Sequence, residues 1–199
     1  MKNSGIILAG GQSSRMKTNK ALIELNKKQM IEHIMATLEG IVDEIIIVTN
    51  DPADYLDFEA QLVTDLIPKR GPLSGIHAGL KASINQYAFV VACDMPFVSS
   101  TLIKFMLAQS TGYDAVVPKI ENYYQPLHAV YSKVCIPHIE KTLLEGSFKV
   151  TAFYEDINIK FIGEAQIKPL ADINKVFFNI NDSDDLIKAE EMVGEKNGQ

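Results

Sequence analysis

Residues 6–20 read IILAGGQSSRMKTNK, and this stretch decides the fold class. A short apolar run stops at Gly10 and Gly11, which is typical of a buried strand that leaves a sheet through a turn. The glycines carry no Cβ and tolerate positive φ, so another group can approach the backbone closely. Successive backbone N–H groups in such a turn form an anion site, and Arg15 and Lys20 add positive charge for phosphate oxygens. The stretch therefore predicts a first strand followed by a loop that binds a nucleoside triphosphate.

Length and composition indicate one globular domain. The chain has 199 residues, 47% hydrophobic and 22% charged, which suits a single domain over residues 1–194 with a frayed tail at 195–199. The net charge of −6 and the isoelectric point near 5.2 argue against non-specific nucleic-acid binding. The first apolar run is too short for a signal peptide or a membrane span, and Cys93 and Cys135 are expected to be buried thiols. We expect a cytoplasmic protein that acts on neither nucleic acid nor membranes.

Strand and helix signals alternate along the chain. Strands are predicted at 5–9, 44–49, 62–64, 87–93, 115–117, 127–131, 157–162 and 176–180, and helices at 30–38, 76–84, 102–107, 136–144 and 186–193. Continuous apolar strands favour an α/β fold with a mostly parallel sheet covered on both faces. Ligands bind such sheets beyond the carboxyl ends of the strands. The polar or glycine positions that follow strands, and are expected to meet in one crevice, are Gly10, Asn50, Asp65 and Asp94.

Asp94 is the second strong chemical signal. It ends a buried apolar run and is followed by Met95-Pro96-Phe97. Mg²⁺ takes hard oxygen ligands, usually one or two carboxylates plus substrate phosphates. The alternative role is an N-cap for the next helix, but the spacing is too long and Ser99 or Ser100 is a better cap. Asp94 is therefore predicted to be a Mg²⁺ ligand.

The opening stretch resembles the signature loop of the nucleotidyltransferases, L-A-G-G-x-S-x-R-M-G-x-D-K. Leu8 to Met16 follow that pattern throughout and Lys20 matches its end, whereas Lys17 stands in place of the usual glycine and Asn19 in place of the usual aspartate. The spacing differs from both the P-loop and the dinucleotide-binding motif. A plain strand-to-helix turn with surface cations is the alternative, which the number of matching positions disfavours. The resemblance implies a three-layer αβα Rossmann-like nucleotidyltransferase fold. Because Asn19 replaces the usual aspartate, we expect Lys20 to lose an orienting carboxylate.

Three later segments narrow the resemblance to the molybdenum cofactor guanylyltransferases, the family of molybdopterin-guanine dinucleotide biosynthesis protein A. GPLSGI at 71–76 resembles its G-P-L-x-G-I turn, although alone it would be an ordinary Gly-Pro turn. QPLHAVY at 125–131 resembles its x-P-L-x-A-x-Y segment, and FNINDSDDL at 178–186 resembles its F-x-N-(I/V)-N-T-P-E-D-L ending, shortened by one position. The resemblance thus extends from Leu8 to Leu186. It implies that GTP and molybdopterin react to give the guanine dinucleotide and pyrophosphate.

The resemblance also implies a GTP side to the site. The residues expected to bind GTP are Leu8, Ala9, Gly10, Lys20, Asp65 and Asp94. Arg15 and Lys20 would hold the triphosphate and stabilise the departing pyrophosphate, while Asp94 would hold the Mg²⁺ cofactor. A carboxylate such as Asp65 can accept hydrogen bonds from the N1–H and N2–H₂ groups of guanine, and Asn50 is a weaker candidate at the same place.

A pterin side is implied by the later segments, and its expected residues are Gly75, Asn179 and Asn181. The two asparagines lie two apart on a predicted strand, so they are expected to share a face. The alternative for Asn181 and Asp182 is the capped start of the last helix. His128 is expected to be structural, since no nucleophile pairs with it and a Ser/His/Asp hydrolase is disfavoured.

The implied mechanism needs little covalent help from the protein. The terminal phosphate of the pterin is already ionised, so catalysis should consist of positioning and charge stabilisation. The implied partners are GTP, the molybdopterin cofactor, and other molybdenum cofactor biosynthesis proteins and molybdoenzymes. Two alternatives stay open: a related nucleotidyltransferase that uses CTP or another phosphorylated acceptor, and a non-catalytic nucleotide-binding accessory protein. A sugar-phosphate nucleotidyltransferase is less favoured at this chain length.

Overall fold

The computed structural model describes residues 2–10, 19–67 and 71–194. Arg15, Lys17 and the predicted tail at 195–199 lie outside these residues. The strands are β1 (Asn3–Leu8), β2 (Glu24–Leu25), β3 (Lys28–Gln29), β4 (Glu44–Val48), β5 (Gln61–Val63), β6 (Tyr87–Ala92), β7 (Ala115–Ile120), β8 (Tyr123–Tyr124), β9 (His128–Ser132) and β10 (Ile159–Gly163).

An eight-stranded sheet has the order β10-β7-β9-β6-β1-β4-β5, with β8 paired to β7. The pairs of β1 with β4 and β6, of β4 with β5, and of β10 with β7 are parallel, whereas β9 runs antiparallel to both of its neighbours. β2 and β3 form a separate antiparallel hairpin. The prediction of a mostly parallel sheet is therefore confirmed.

Helices cover both faces of the sheet. They are α1 (Met30–Leu38), α2 (Pro72–Ala82), α3 (Ser100–Ala108), α4 (Cys135–Leu144), α5 (Glu164–Ile167), α6 (Ile173–Val176) and α7 (Ser183–Gly194). Successive side chains of β1 point to opposite faces, so Ile7 packs in one core with α1 and α3, while Ile6 packs in another with α2 and α4. The result is the three-layer αβα architecture that the resemblance implied.

A third, smaller apolar cluster determines where the C-terminal segment lies. Leu25 of the β2–β3 hairpin and Met30 pack with Ile180 and with Ala189 of α7. Lys20, at the start of a 3-10 helix over Lys20–Leu22, comes just before this hairpin. The packing therefore brings residues 178–186 to the same region as the end of the opening loop.

Two sequence predictions are wrong. No strand forms at residues 176–180: α6 ends at Val176, and the N–H of Ile180 bonds to the carbonyl of Asp94 instead of to a strand. In an extended strand, residues 176 and 180 would point to the same face. Val176 and Ile180 are instead buried in two different apolar clusters. The second helix ends at Ala82, and Ile84 is exposed.

The described segments contain no helix long and apolar enough to span a membrane.

Candidate active site

The carboxyl ends of four neighbouring strands form the base of the site. β5, β4, β1 and β6 lie side by side, and Asp65, Asn50, Gly10 and Asp94 follow them respectively. The amide nitrogen of Asn50 donates to Asp65 Oδ2 over 3.2 Å, so these two strand ends meet as predicted. The parallel strands end at the same edge, which is why residues far apart in sequence are neighbours here.

Lys20 lies between two acceptors from distant parts of the chain. Its Nζ donates to Asp94 Oδ2 over 3.3 Å and to Asn181 Oδ1 over 2.9 Å. The side chains of Lys20 and Asp94 are 14% and 23% exposed, so the ion pair is mostly shielded but still open to a ligand. This arrangement holds an ammonium group beside a carboxylate, which is the charge pattern that a phosphate with a bound cation requires.

The segment that carries Asn181 is fixed by its own hydrogen bonds. The N–H of Ile180 donates to the Asp94 carbonyl over 2.9 Å, and the N–H of Asn181 donates to Asp185 Oδ2 over 3.0 Å. Asp182 accepts from the N–H of Asp185 over 3.1 Å at the start of α7. Asp182 therefore starts the last helix as predicted, and Asn181 is held one residue before it.

Asn179 and Asn181 do not act as a pair on one strand face, because the strand is absent. Both residues are exposed, and Asn179 donates through its side-chain nitrogen to the carbonyl of Phe177 over 3.3 Å. The Asn181 side chain contacts Lys20 instead. The structure thus brings Asn181, but not the side chain of Asn179, into contact with the predicted phosphate-binding lysine.

Gly75 lies on α2 beside residues expected to bind GTP. A Cβ placed on Gly75 would be 3.1 Å from Leu8 Cδ2, 3.7 Å from Val48 Cγ1 and 3.8 Å from Asp65 Oδ1. The absence of a side chain allows α2 to approach the sheet closely at this point. Gly75, which was expected to bind the pterin, therefore lies beside Asp65, a residue that was expected to bind GTP.

Asn19 does not leave Lys20 without an orienting partner, contrary to our expectation. The Asn19 side chain caps the 3-10 helix by accepting from the N–H of Ala21, and it donates to Asp54 Oδ2 over 3.1 Å. Lys20 is oriented by Asp94 and Asn181 instead. The expectation failed because it assumed that the side chain at position 19 faces the lysine.

Sequence reasoning also missed Tyr55, which lies in a 3-10 helix over Pro52–Tyr55. Its side chain is fully buried, and its hydroxyl group donates to Asn19 Oδ1 and to the carbonyl of Ala9. The sequence shows only a tyrosine after an Asn-Asp-Pro turn, and nothing in that pattern indicates which backbone it will reach.

Cys93, Cys135 and His128 are buried and do not offer a nucleophile. Cys93 and Cys135 are free and buried, as predicted, and burial raises the pKa of each thiol to about 12. His128 is fully buried between the rings of Phe89 and Phe177, and burial lowers its pKa to about 3. These three groups stay uncharged near neutral pH.

The metal-binding capacity of the site rests on a single carboxylate. Within residues 2–10, 19–67 and 71–194, no group of three or more His, Cys, Asp or Glu side chains could hold a metal ion by itself. Asp94 contacts Lys20 through Oδ2, and its partly exposed carboxylate still offers a second oxygen. One carboxylate completed by substrate phosphates is a usual Mg²⁺ site, so the donor set fits an ion that arrives with a nucleotide.

Comparisons with a family model, with curated relatives and with solved structures identify the same family. The family model for the MobA-like NTP transferase domain matches residues 5–158. A probable molybdenum cofactor guanylyltransferase from Pelotomaculum thermopropionicum is 42% identical over 96% of this chain and 94% of its own length. A molybdenum cofactor guanylyltransferase from Desulfosudis oleivorans is 39% identical over 96% and 95%, respectively. The crystal structure of molybdopterin-guanine dinucleotide biosynthesis protein A from Archaeoglobus fulgidus has a TM-score of 0.85 and 29% identity, covering 96% of this chain and 99% of that one.

Proposed function

The chain belongs to the MobA-like NTP transferase family and is a nucleotidyltransferase, and we propose that it transfers GMP from GTP to molybdopterin with release of pyrophosphate. The observation that carries the proposal is the placement of Lys20 between Asp94 and Asn181. Lys20 closes the predicted triphosphate loop, and Asn181 belongs to the segment that the pterin would contact. The two substrates would therefore meet at this lysine.

The reaction forms one bond to phosphorus and breaks another. An oxygen of the pterin phosphate attacks the α-phosphorus of GTP, and the bond from that phosphorus to the bridging oxygen of the β-phosphate breaks. Pyrophosphate leaves with the electron pair, and no proton has to be removed from the attacking phosphate, which is already ionised. Lys20 stabilises the negative charge that develops on the departing group, and Arg15 is proposed to do the same from the loop.

Asp94 is proposed to hold Mg²⁺ together with the phosphates of GTP. When bound, the cation would offset the negative charge of the triphosphate. Asp94 also holds Lys20 in place through its Oδ2. Its backbone carbonyl meanwhile accepts the bond that anchors residue 180. Asp94 thus connects Lys20 to the C-terminal segment, and it would also hold the metal.

Asp65 supports the choice of guanine over cytosine. Its carboxylate lies at the end of β5, is held by Asn50, and lies beside Gly75. Guanine presents two adjacent donors, N1–H and N2–H₂, to a carboxylate, whereas cytosine presents the acceptor N3 next to its amino group. A carboxylate facing N3 would leave two acceptors opposed, which is unfavourable without water. We therefore propose that Asp65 contacts the base and that Gly75 leaves room beside it.

On the acceptor side we propose that Asn179 and Asn181 contact the pterin or its phosphate. Both are exposed, and Asn181 contacts Lys20, beside which an attacking phosphate would have to lie. The backbone of Leu8, Ala9 and Gly10 would hold the nucleoside, since it leads from β1 directly into the loop.

The decisive experiment supplies the purified protein with Mg²⁺, molybdopterin and one nucleoside triphosphate at a time, and measures pyrophosphate. We expect release with GTP, no release without molybdopterin, and loss of release when EDTA removes the metal. Release with CTP instead would assign the chain to a related nucleotidyltransferase. Nucleotide binding without release under any condition would identify a non-catalytic accessory protein.

A further inference from the structure

Tyr55 occupies a position between the two ends of the opening loop. Its hydroxyl group donates over 2.9 Å to Asn19 Oδ1 and over 3.2 Å to the carbonyl oxygen of Ala9. Ala9 is the residue that follows β1, and Asn19 immediately precedes Lys20. One hydroxyl hydrogen is therefore shared between the last residue before the glycines and the residue before the lysine.

The buried environment of Tyr55 strengthens the hydrogen bonds of its hydroxyl group. The Tyr55 side chain is fully buried, its ring lies 6.0 Å from that of Phe58, and burial raises its pKa to about 12. The phenol therefore keeps its proton at any ordinary working pH. A hydrogen bond shielded from water is stronger than an exposed one, and its loss would leave the buried carbonyl of Ala9 without this donor.

The contact is passed on to the lysine through Asn19. Asn19 Oδ1 accepts from Tyr55 and also from the N–H of Ala21, which caps the 3-10 helix that Lys20 begins. At the other end, the N–H of Ala9 bonds to the carbonyl of Val48 over 2.9 Å, so Ala9 is anchored to the sheet. The hydroxyl group of Tyr55 thus connects the start of the 3-10 helix at Lys20 to the end of β1 at the edge of the sheet.

Asn19 has a third partner, which explains why an amide rather than a carboxylate stands at this position. Its nitrogen donates to Asp54 Oδ2 over 3.1 Å, and Asp54 directly precedes Tyr55. An aspartate at position 19, the residue usual in the signature loop, would keep both acceptor contacts but would oppose the carboxylate of Asp54. The amide at position 19 and the carboxylate at position 54 therefore form a matched pair.

We propose that Tyr55, with the Asn19–Asp54 pair, is a positioning element. It sets the location of Lys20 relative to Ala9, at the strand ends that are proposed to bind the nucleotide. It does not touch the reacting atoms. This inference rests on the proposed function, because the readout is GTP use.

The first test is Tyr55→Phe, which removes only the hydroxyl group. Misplacement of a reacting group by about 1 Å costs about 100-fold in rate. We expect kcat/KM for GTP to fall by about 10-fold to 100-fold, with KM for molybdopterin within about twofold of the wild-type value. GTP binding measured by calorimetry should weaken in the same variant.

The matched control is Tyr154→Phe, which removes another buried hydroxyl group. Tyr154 bonds to Tyr131 over 2.7 Å in the core beneath α2 and α4, away from the loop ends. We expect a comparable change in melting temperature for the two variants, but a loss of GTP use in Tyr55→Phe alone. Equal kinetic losses in both variants would show that Tyr55 acts only through stability, and this would overturn the proposal.

The second test exchanges the paired side chains. Asn19→Asp should lower kcat/KM for GTP, and adding Asp54→Asn in the same chain should restore it, since the amide and the carboxylate then change places. Failure of the second substitution to restore activity would also overturn the proposal. If the wild-type protein itself transfers no GMP, the proposed function fails first, and calorimetric GTP affinity still reports whether the loop ends are positioned as inferred.

Discussion

Lys20 Nζ lies closer to Asn181 Oδ1, at 2.9 Å, than to Asp94 Oδ2, at 3.3 Å. The neutral amide therefore makes the shorter contact, and the carboxylate makes the longer one. Since Asn181 is 161 positions away from Lys20 along the chain, this contact joins the first and last parts of the site. A phosphate that enters between these groups can take over either contact of the lysine.

The first prediction concerns Asn181→Ala. A hydrogen bond to a charged group contributes about 1.5 to 3 kcal/mol, so we expect kcat/KM for GTP to fall roughly 10-fold to 100-fold. Asn158→Ala is the matched control, because the Asn158 side chain is also exposed and donates to the carbonyl of Gly112 over 3.1 Å, outside the proposed site. Steady-state kinetics with GTP varied should distinguish the two. An Asn158→Ala variant as impaired toward GTP as Asn181→Ala would contradict the orienting contact.

The second prediction concerns the Lys20–Asp94 ion pair itself. Lys20→Ala and Asp94→Asn should each reduce guanylyl transfer by about 1,000-fold or more, because charge stabilisation is the main catalytic contribution proposed. The matched controls are Lys141→Ala and Asp156→Asn, which break an exposed ion pair of 3.4 Å between α4 and the 3-10 helix over Val150–Asp156. Both controls should retain wild-type turnover. Single-turnover rates and circular dichroism provide the test, and normal rates in either site variant would refute the assignment.

The third prediction compares two glycines on the sheet-facing side of α2. A Cβ at Gly79 would lie 2.6 Å from Ile6 Cγ2, whereas one at Gly75 would lie 3.1 Å from Leu8 Cδ2 and 3.8 Å from Asp65 Oδ1. Overpacking of this kind costs about 1 to 3 kcal/mol, so Gly79→Ala should lower the free energy of unfolding by that order.

Gly75→Ala should act differently, because its neighbours include the end of β1 and Asp65. We expect a smaller loss of stability and a several-fold higher KM for GTP. Denaturant unfolding and GTP kinetics on both variants check this. The reverse pattern, with the KM effect confined to Gly79→Ala, would place Gly75 outside the nucleotide side of the crevice.

The fourth prediction concerns acid stability and His128. Its pKa is about 3 in the folded chain and near 6.5 when unfolded, because burial disfavours the charged ring. Between these two pKa values, the unfolded chain therefore binds a proton at His128 that the folded chain does not bind. Stability from this residue is complete above pH 6.5 and is lost as pH falls toward 3, by at most roughly 5 kcal/mol.

His128→Leu should flatten this dependence. Within the described residues, both ring nitrogens of His128 lack a hydrogen-bond partner, so an apolar replacement of similar size should cost little at neutral pH. The same substitution at His138, which is partly exposed on α4, controls for the loss of a histidine elsewhere. Urea unfolding between pH 4 and 7 is the measurement. An unchanged slope in His128→Leu would show that other groups control acid stability.

Local sequence alone indicated the fold class, the strand ends and several site residues. The apolar runs before Gly10, Asn50, Asp65 and Asp94 are long enough to predict buried strands, and parallel strands must end at a common edge. For the same reason, the meeting of Asn50 with Asp65 was predictable. The failed strand at 176–180 shows the limit, because an apolar run does not specify which core each side chain will enter.

The contacts that orient Lys20 were decided by tertiary structure. Its bond to Asn181 depends on Ile180 and α7 packing against the β2–β3 hairpin, and the position of Asn19 depends on the buried hydroxyl group of Tyr55. Hydrophobic periodicity encodes which residues form an element and which face is buried. The packing of those elements decides which polar side chains meet at separations of 36 or 161 positions along the chain, and only the folded chain determines it.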